Sequence, residues 1–185
     1  ERFLLPRSIA VVGASRRTES LGNLLVRNLR EGGFEGRLLP IHPEAAMVAG
    51  LVAYPRVSDA PGPVDLVIVV VPVDRVPDVV EDSAKAGVHA LLVISAGYSD
   101  AGPDGAEKER RLVASIREHG MRLIGPNALG VINTDPRVNL RAAAQDTVPP
   151  RGRVAVFGQS APLCLAALDR LAARQLGIST FVSAG

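Results

Sequence analysis

The chain has 185 residues, 47% of them hydrophobic, which suits one compact domain of ordinary size plus part of another. Its formal net charge is only +2, so a general polyanion-binding surface is excluded and no nucleic acid partner is expected. A single cysteine, Cys164, excludes a disulfide framework and favours a cytoplasmic location. The longest apolar run, residues 64–73, is too short to span a bilayer, so no membrane association is expected.

Apolar runs alternate with amphipathic stretches along most of the chain. This pattern predicts strands at residues 8–13, 37–42, 51–54, 64–72, 89–95 and 122–124. Between them it predicts helices at residues 21–31, 74–86 and 106–119. Regular alternation with short connections is typical of a doubly wound parallel sheet. We therefore expect an α/β, Rossmann-like domain over residues 1–126.

The pattern changes after Pro126. Residues 127–151 contain turn signals but no sustained periodicity, so they are predicted to be a linker. Residues 152–185 then read as strand, helix and strand, which we interpret as the beginning of a second, flavodoxin-like α/β domain. Because the chain begins without methionine and ends on a strand-like segment, we expect it to be part of a longer protein.

The loop after the first predicted strand has the composition of a phosphate site. It runs GASRRTESLG from Gly13 to Gly22 and opens into a helix, whose N-terminal amides attract anions. Glycine lets the backbone approach a ligand closely, Ser15 offers a hydroxyl, and Arg16 and Arg17 offer positive charge. A simple strand–helix turn with solvated arginines is the alternative.

The known phosphate-loop motifs do not match this segment. The second glycine of G-x-G-x-x-G is missing, the loop is several residues longer, and no P-loop motif occurs in the chain. A dinucleotide enzyme also needs an acid after the second strand to bind the ribose 2′-hydroxyl. The sequence has His42 and Pro43 there, and Glu44 lies beyond the proline. An NAD(P)-dependent oxidoreductase is therefore disfavoured but stays open as an alternative.

The predicted topology brings four segments to one edge of the sheet, because ligands of open α/β sheets bind at the carboxyl ends of the strands. The segments are residues 13–17, 41–43, 71–73 and 95–97. Each alone could be an ordinary turn. Together, their small or kinked residues indicate a site for a flat phosphorylated ligand.

Several ordered motifs resemble the NDP-forming acyl-CoA synthetases, which include acetate–CoA ligases and succinyl-CoA synthetase α-type proteins. The motifs are SIAVVGAS, the His42-Pro43 step, VDLVIVVVP, the segment 94–97, GPNALGV from Gly125, and RVAVFGQSAPL from Arg153. The resemblance covers nearly the whole chain. It is most similar to actinobacterial proteins in which such a module is fused to a GNAT acetyltransferase domain.

The resemblance implies coenzyme A, or an acyl-CoA, as the ligand. The residues implied to bind it are Gly13, Ala14, Ser15 and Arg16 for the phosphates, His42, Pro43, Val71 and Pro72 for the adenosine part, and Ser95, Ala96 and Gly97 for the pantetheine. Pro126 and Asn127 would lie near the domain junction and the reacting thioester. Ser160 would help to bind the phosphoryl group that a histidine carries in this family.

In this family a carboxylic acid, CoA and ATP react through an acyl phosphate and a phosphohistidine to give acyl-CoA, ADP and phosphate. The resemblance implies that the phosphohistidine, ATP, Mg²⁺ and the ATP-grasp domain or subunit belong to regions outside this chain. No catalytic residue and no metal ligand is therefore assigned here, and His42, His89 and His119 are interpreted as structural or solvated. A homo-oligomer is compatible with this interpretation.

Departures from the family pattern affect the ligase hypothesis more than the CoA-binding one. No lysine follows Pro43, alanine occupies the usual cysteine position at Ala128, and the usual Ser-Gly pair is Ser160-Ala161, followed by Pro162. Alanine hinders close backbone approach to a phosphate, and proline lacks the N–H donor. The alternative function is a non-catalytic, acyl-CoA-sensing module that regulates a GNAT protein lysine acetyltransferase.

Overall fold

The computed structural model describes residues 2–145 and 148–185. In chain order the strands are β1 (Ser8–Val12), β2 (Arg37–Ile41), β3 (Met47–Val48), β4 (Leu51–Val52), β5 (Leu66–Val69), β6 (Ala90–Val93), β7 (Arg122–Ile124), β8 (Gly130–Asn133), β9 (Leu140–Ala143), β10 (Arg151–Gly158) and β11 (Ile178–Ser183). The helices are α1 (Leu21–Glu31), α2 (Val76–Lys85), α3 (Pro103–Glu118) and α4 (Ala161–Ala173). Among these described residues, no helix is both long and apolar enough to cross a membrane.

The central sheet contains five parallel strands in the order β2-β1-β5-β6-β7, which confirms the predicted α/β fold with a parallel sheet. β1, β5 and β6 are wholly buried and, apart from Ser8, apolar on both faces. Alternate residues of β1 face opposite layers: Ile9 and Val11 pack on one side of the sheet, and Ala10 and Val12 on the other. Burial on both faces explains why these strands are continuous apolar runs.

Helices cover both faces of the central sheet. α1 packs on one face through Leu25, Val26 and Leu29, a spacing that places all three on one side of a helix. Strands β8 and β9 complete that layer, because Val131 and Leu140 belong to the same apolar core. α2 and α3 cover the opposite face. The chain is therefore wound on both faces of the sheet, as predicted.

The strand order creates a crevice at one edge of the sheet. The chain passes from β1 outward to β2, and then returns past β1 to β5 on the other side. Connections leave the neighbouring carboxyl ends of β1 and β5 in opposite directions, and ligands of such sheets bind at this switch point. The predicted phosphate loop follows β1 and thus lies at the crevice.

The predicted third strand at residues 51–54 is wrong as a member of the central sheet. β3 and β4 instead form a separate antiparallel hairpin, and only a bridge between Ile41 and Tyr54 joins this region to β2. The turn between them uses Ala49 and Gly50, both with positive φ, the geometry typical of tight hairpins. The central sheet consequently has five strands instead of the predicted six.

The prediction of an irregular segment at residues 127–151 is wrong over β8 and β9. These two strands join β10 and β11 in a mixed sheet with the order β10-β11-β8-β9. β10 and β11 are parallel and are connected through α4, in agreement with the predicted βαβ unit, whereas β8 pairs antiparallel with β11 and β9. The division into domains at residues 1–126, 127–151 and 152–185 stays a prediction.

Candidate functional site

The carboxyl edge of the central sheet brings most of the predicted site residues together. The amide of Gly13 donates to the carbonyl of Ile41 at 3.3 Å, which joins the ends of β1 and β2. On the other side, the amide of Val70 donates to the carbonyl of Val12 at 2.9 Å. The loops that follow β1, β2 and β5 therefore leave the sheet side by side.

Two glycines allow α1 to begin directly against the end of β1. Gly13 has a φ of +93°, and a Cβ added there would lie 2.7 Å from the carbonyl oxygen of Val70. Gly22 is the second residue of α1, and a Cβ added there would lie 2.7 Å from the carbonyl carbon of Gly13. A side chain at Gly22 would push the helix away from the end of β1, and a side chain at Gly13 would push the end of β1 away from Val70. The N-terminus of an 11-residue helix is thereby presented at the crevice.

The loop between β1 and α1 is held by side chains of the first helical turn. Ser20 is the N-cap of α1: its Oγ accepts from the amide of Asn23 at 3.2 Å and donates to the carbonyl of Arg17 at 2.7 Å. The Nδ2 of Asn23 donates to the carbonyl of Ser15 at 2.7 Å. The carbonyls of Ser15 and Arg17 are thus hydrogen-bonded to side chains at the start of α1. The side chains of Arg16 and Arg17 stay exposed and make the loop positive.

The hydroxyl of Ser15, which the sequence offers to a phosphate, makes a hydrogen bond within the loop. Its Oγ accepts from the amide of Arg17 at 3.2 Å, so the hydroxyl shapes the loop while its own hydrogen stays available for donation. Ala14 is buried in the core, and its side chain anchors the loop to the layer beneath. The segment 13–17 therefore combines an anchored base with an exposed cationic rim.

His42 shapes the chain after β2. Its Nδ1 accepts from the amides of Glu44 at 3.1 Å and Ala45 at 2.9 Å, which requires a neutral ring with its hydrogen on Nε2. The ring therefore caps a turn. Pro43 and Glu44 are exposed beside it. His42 can offer a ligand only its Nε2–H or its ring face.

The loops after β5 and β6 are bonded to each other. The Oγ of Ser95 donates to the carbonyl of Val71 at 2.6 Å, and Ser95 itself is only 8% exposed. Gly97 has a φ of +98°, and a Cβ added there would contact Val73 at 3.4 Å. Pro72 and Ala96 are exposed at the tips of these loops. The hydrogen of Ser95 is therefore used within the protein, and the exposed loop tips are what a ligand can contact.

The segment after β7 meets the same edge. The peptide bond between Gly125 and Pro126 is cis, and Asn127 has a φ of +58°. The amide of Asn127 donates to the carbonyl of Ser95 at 3.1 Å. The amide of Gly125 donates to Ala184, which follows β11. Pro126 and Asn127 therefore lie between the central sheet and the second sheet.

Ser160 belongs to the second sheet. It is the exposed N-cap of α4, and its side chain makes no capping hydrogen bond. The preceding β10 ends at Gly158, whose carbonyl accepts from the amide of Ala184 at 2.8 Å. The first turn of α4 contains Pro162, which has no N–H to donate. Helix α4 thus presents one amide fewer than an ordinary helix N-terminus.

A separate cavity of about 340 Å³ lies between α2 and α3. Val73, Leu112 and the ring of Tyr98 contribute to its walls, but no residue of the phosphate loop lines it. Burial, together with the nearby carboxylates of Glu109 and Asp74, raises the pKa of Tyr98 to about 12. The phenol therefore stays protonated at neutral pH.

Sequence reasoning missed the residues that hold the phosphate loop. Ser20 could have been found, since serine just before a predicted helix is a typical N-cap signal. Gly22 could have been recognised as a helix-start glycine that approaches a strand. Asn23 has no comparable signal, because its bond to Ser15 depends on how the loop folds back. Within the described parts of the chain, no cluster of His, Cys, Asp or Glu could hold a metal ion.

Comparison with known proteins identifies the family of this chain. Residues 7–134 match the model of a family described as "CoA binding domain". The chain is 39% identical over 185 residues to the acetate–CoA ligase [ADP-forming] I of Archaeoglobus fulgidus, covering 100% of this chain and 26% of that protein. It is 33% identical over 189 residues to the acetate–CoA ligase [ADP-forming] I subunit alpha of Pyrococcus furiosus, covering 100% of this chain and 40% of that subunit.

A solved structure shares the whole fold. The dinucleotide forming acetyl-coenzyme A synthetase 1 of Ca. Korarchaeum cryptofilum, in complex with phosphate and ADP, superposes with a TM-score of 0.93 at 38% identity. The match covers 100% of this chain and 39% of that one. The chain thus spans between about a quarter and two fifths of the length of these relatives. We conclude that it belongs to the CoA-binding domain family, in the form found in ADP-forming acyl-CoA synthetases.

Proposed function

We propose that this chain binds coenzyme A at the crevice between β1 and β5. The proposal rests mainly on the close contact between the start of α1 and Gly13. This contact presents helix amides at the switch point of the sheet, in a domain whose family is described as CoA-binding. Two exposed arginines, Arg16 and Arg17, supply the positive charge that a diphosphate needs. The site thus provides both directional donors and charge for the same ligand group.

The remaining contacts follow the order of the strands across the sheet. The diphosphate lies on the loop of Gly13, Ala14, Ser15 and Arg16. The adenosine part extends toward His42 and Pro43 and is flanked by Val71 and Pro72. The pantetheine runs over Ser95, Ala96 and Gly97 toward Pro126 and Asn127. This assignment is supported by the bonds that join these loops at one edge, from Gly13 to Ile41 and from Ser95 to Val71.

In the whole protein we assign this binding site to an ADP-forming acid–CoA ligase. The relatives that carry this name extend well beyond the region matched here. ATP, Mg²⁺ and the phosphohistidine are assigned to those further regions, in an ATP-grasp domain or partner subunit. Ser160 would meet the phosphoryl group on the second sheet. The cytoplasmic location and a homo-oligomeric assembly belong to the same proposal.

The start of α4 favours a second candidate function. Pro162 removes a backbone donor at the point where a phosphoryl group would bind, and Ser160 is exposed without a partner within α4. An acyl-CoA sensor needs the CoA crevice but no phosphoryl site, so a weakened phosphoryl site would not impair it. In this alternative the chain regulates a fused GNAT lysine acetyltransferase and performs no ligase reaction of its own.

Calorimetric titration of the chain with CoA, acetyl-CoA and NAD tests the binding proposal. We expect one CoA per chain and no measurable NAD binding, because His42 and Pro43 directly follow β2 where an acid would bind the ribose hydroxyl, and Glu44 lies beyond the proline. Tight NAD binding without a response to CoA would contradict the proposal. Replacing both Arg16 and Arg17 with glutamine should weaken CoA binding, whereas the same change at Arg117 and Arg122, both exposed on other surfaces, should not.

The two candidate functions differ in what the full-length protein does with ATP. A ligase forms acyl-CoA, ADP and phosphate from acid, CoA and ATP in stoichiometric amounts. A sensor forms none of these products, yet acetyl-CoA changes the rate of the attached acetyltransferase. Measuring ADP release with and without CoA, together with lysine acetylation, separates the two.

A further inference from the structure

Asn23 is the most deeply buried polar side chain near the phosphate loop. It is the third residue of α1, is 3% exposed, and donates from Nδ2 to the carbonyl of Ser15 at 2.7 Å. Its Oδ1 is buried without a hydrogen-bond partner. A buried acceptor without a partner is unfavourable, so its presence beside a binding loop needs an explanation.

We propose that Asn23, assisted by Ser20, is a positioning residue that orients the loop peptides for the diphosphate of CoA; this inference rests on the proposed function. The carbonyls of Ser15 and Arg17 are bonded to the first turn of α1. A carbonyl oxygen that faced a phosphate would repel it. Bonding these oxygens to the helix keeps them away from the ligand and leaves the loop amides to meet it.

The orientation of the Asn23 amide is dictated by its partner. Rotating the amide by 180° would place Oδ1 against the carbonyl of Ser15, so two acceptors would face each other. Nδ2 must therefore point toward Ser15, and Oδ1 is left without a donor. The unsatisfied acceptor is thus the consequence of holding the Ser15 carbonyl.

This geometry distinguishes between substitutions of similar size at position 23. Leucine fills a similar volume but donates nothing to Ser15. Aspartate loses the donor and also places a negative charge beside both the Ser15 carbonyl and the bound diphosphate. The expected order of CoA affinity is therefore wild type, then Asn23→Leu, then Asn23→Asp. If Asn23 served only for packing, Asn23→Leu and Asn23→Asp would lose the same amount of CoA affinity, because the charge of the ligand would not matter.

Asn28 offers a matched control on the same helix. Its Nδ2 donates to the carbonyls of Ala143 at 3.2 Å and Gln145 at 2.7 Å, so it also ties backbone carbonyls to α1. These carbonyls belong to β9 and the residues after it, away from the phosphate loop. Asn28→Leu should therefore affect stability in the same way as Asn23→Leu but leave CoA binding unchanged.

The experiment is calorimetric titration of CoA into the wild-type chain and the three variants. Thermal unfolding, measured beforehand on separate samples, shows whether each variant is folded. We expect about a 5- to 10-fold weaker CoA affinity for Asn23→Leu, a larger loss for Asn23→Asp, and less than about a twofold change for Asn28→Leu. Competition by inorganic pyrophosphate, which has only the phosphate part of the ligand, should follow the same order.

Two outcomes separate failure of this inference from failure of the proposed function. Equal CoA affinity of Asn23→Leu and Asn28→Leu overturns the role of Asn23 while CoA binding by the wild type still supports the function. Absence of CoA binding by the folded wild type overturns both. Should Asn23→Leu and Asn23→Asp not fold, Asn23→Ala removes the bond to the Ser15 carbonyl without adding bulk or charge, and unchanged CoA affinity in that variant overturns the inference.

Discussion

Replacing Gly22 with alanine places a methyl group between the first turn of α1 and the end of β1. The added Cβ would lie 2.7 Å from the carbonyl carbon of Gly13 and 3.0 Å from the Cα of Ala14. Carbon atoms in good contact are about 3.5–4.0 Å apart, so the start of the helix must retreat by about 1 Å. Both neighbours are backbone atoms at the end of a buried strand, and neither can move aside cheaply.

The expected cost of this substitution combines two opposing effects. Overpacking of a close contact costs about 1–3 kcal/mol, whereas alanine in a helix is about 1 kcal/mol better than glycine. The net loss is therefore up to about 2 kcal/mol, which corresponds to a decrease in Tm of up to about 8 °C for a chain of this size. Because the shift occurs at the phosphate loop, we also expect CoA affinity to fall about tenfold, or about 1.4 kcal/mol.

Gly36 provides a control for Gly22→Ala. It lies just before β2, at the edge of the central sheet opposite the crevice, and a Cβ added there would lie 2.6 Å from the carbonyl oxygen of Arg7, also a tight contact with a backbone. Gly36→Ala should lower the Tm and change CoA affinity less than about twofold. The assays are thermal unfolding and calorimetric titration with CoA. CoA affinity at the wild-type level in Gly22→Ala would refute the assigned position of the phosphate.

Three further predictions concern the loops around the crevice and the turn after β8. His42→Ala should lower stability by about 1 kcal/mol in denaturant unfolding, whereas His42→Asn should keep most of it, because Asn Oδ1 can accept the same turn amides. Ser95→Ala removes the bond to Val71 and should weaken CoA binding a few-fold by titration. Arg137 lowers the pKa of Asp135 from 3.8 to about 2, chiefly by side-chain hydrogen bonding. The interaction between Asp135 and Arg137 therefore stabilises the folded state fully above pH 3.8, and this stabilisation is lost as the pH falls through about 2. Unfolding of Asp135→Asn should therefore lack the part of the acid sensitivity that the wild type shows between those values.

The central sheet could be predicted because its strands carry their own signal. Strands buried on both faces are apolar at every position, and the helices between them have apolar residues on one side only. The mistaken strand at residues 51–54 has the same apolar composition, but the turn at Ala49 and Gly50 folds it back on β3. Local composition cannot distinguish a hairpin from a sheet member when the strand is two residues long.

β8 and β9 could not be predicted, since what stabilises them is distant in the sequence. Each is four residues long, and they are separated by a polar turn. β9 is held against α1, where Asn28 bonds to the carbonyl of Ala143, 115 residues along the chain. β8 obtains its second partner from β11. Only the folded chain brings these elements together.

In the candidate site, the positions of the loops could be predicted from the sequence, whereas their hydrogen bonds could not. Strand topology alone placed the loops after β1, β2, β5 and β6 at one edge, and the structure joins them there by hydrogen bonds. What sequence reasoning could not supply is which atoms are already engaged. The hydroxyl of Ser95 donates to Val71, Nδ1 of His42 caps a turn, and Asn23 holds the loop carbonyl.

A crystal structure of the chain with bound CoA would show whether the crevice between β1 and β5 holds the ligand. We expect the diphosphate at the N-terminus of α1, within hydrogen-bond distance of amides in the segment 13–17, with the pantetheine crossing the tips of the loops after β5 and β6. A diphosphate bound elsewhere, for example in the cavity between α2 and α3, would contradict it.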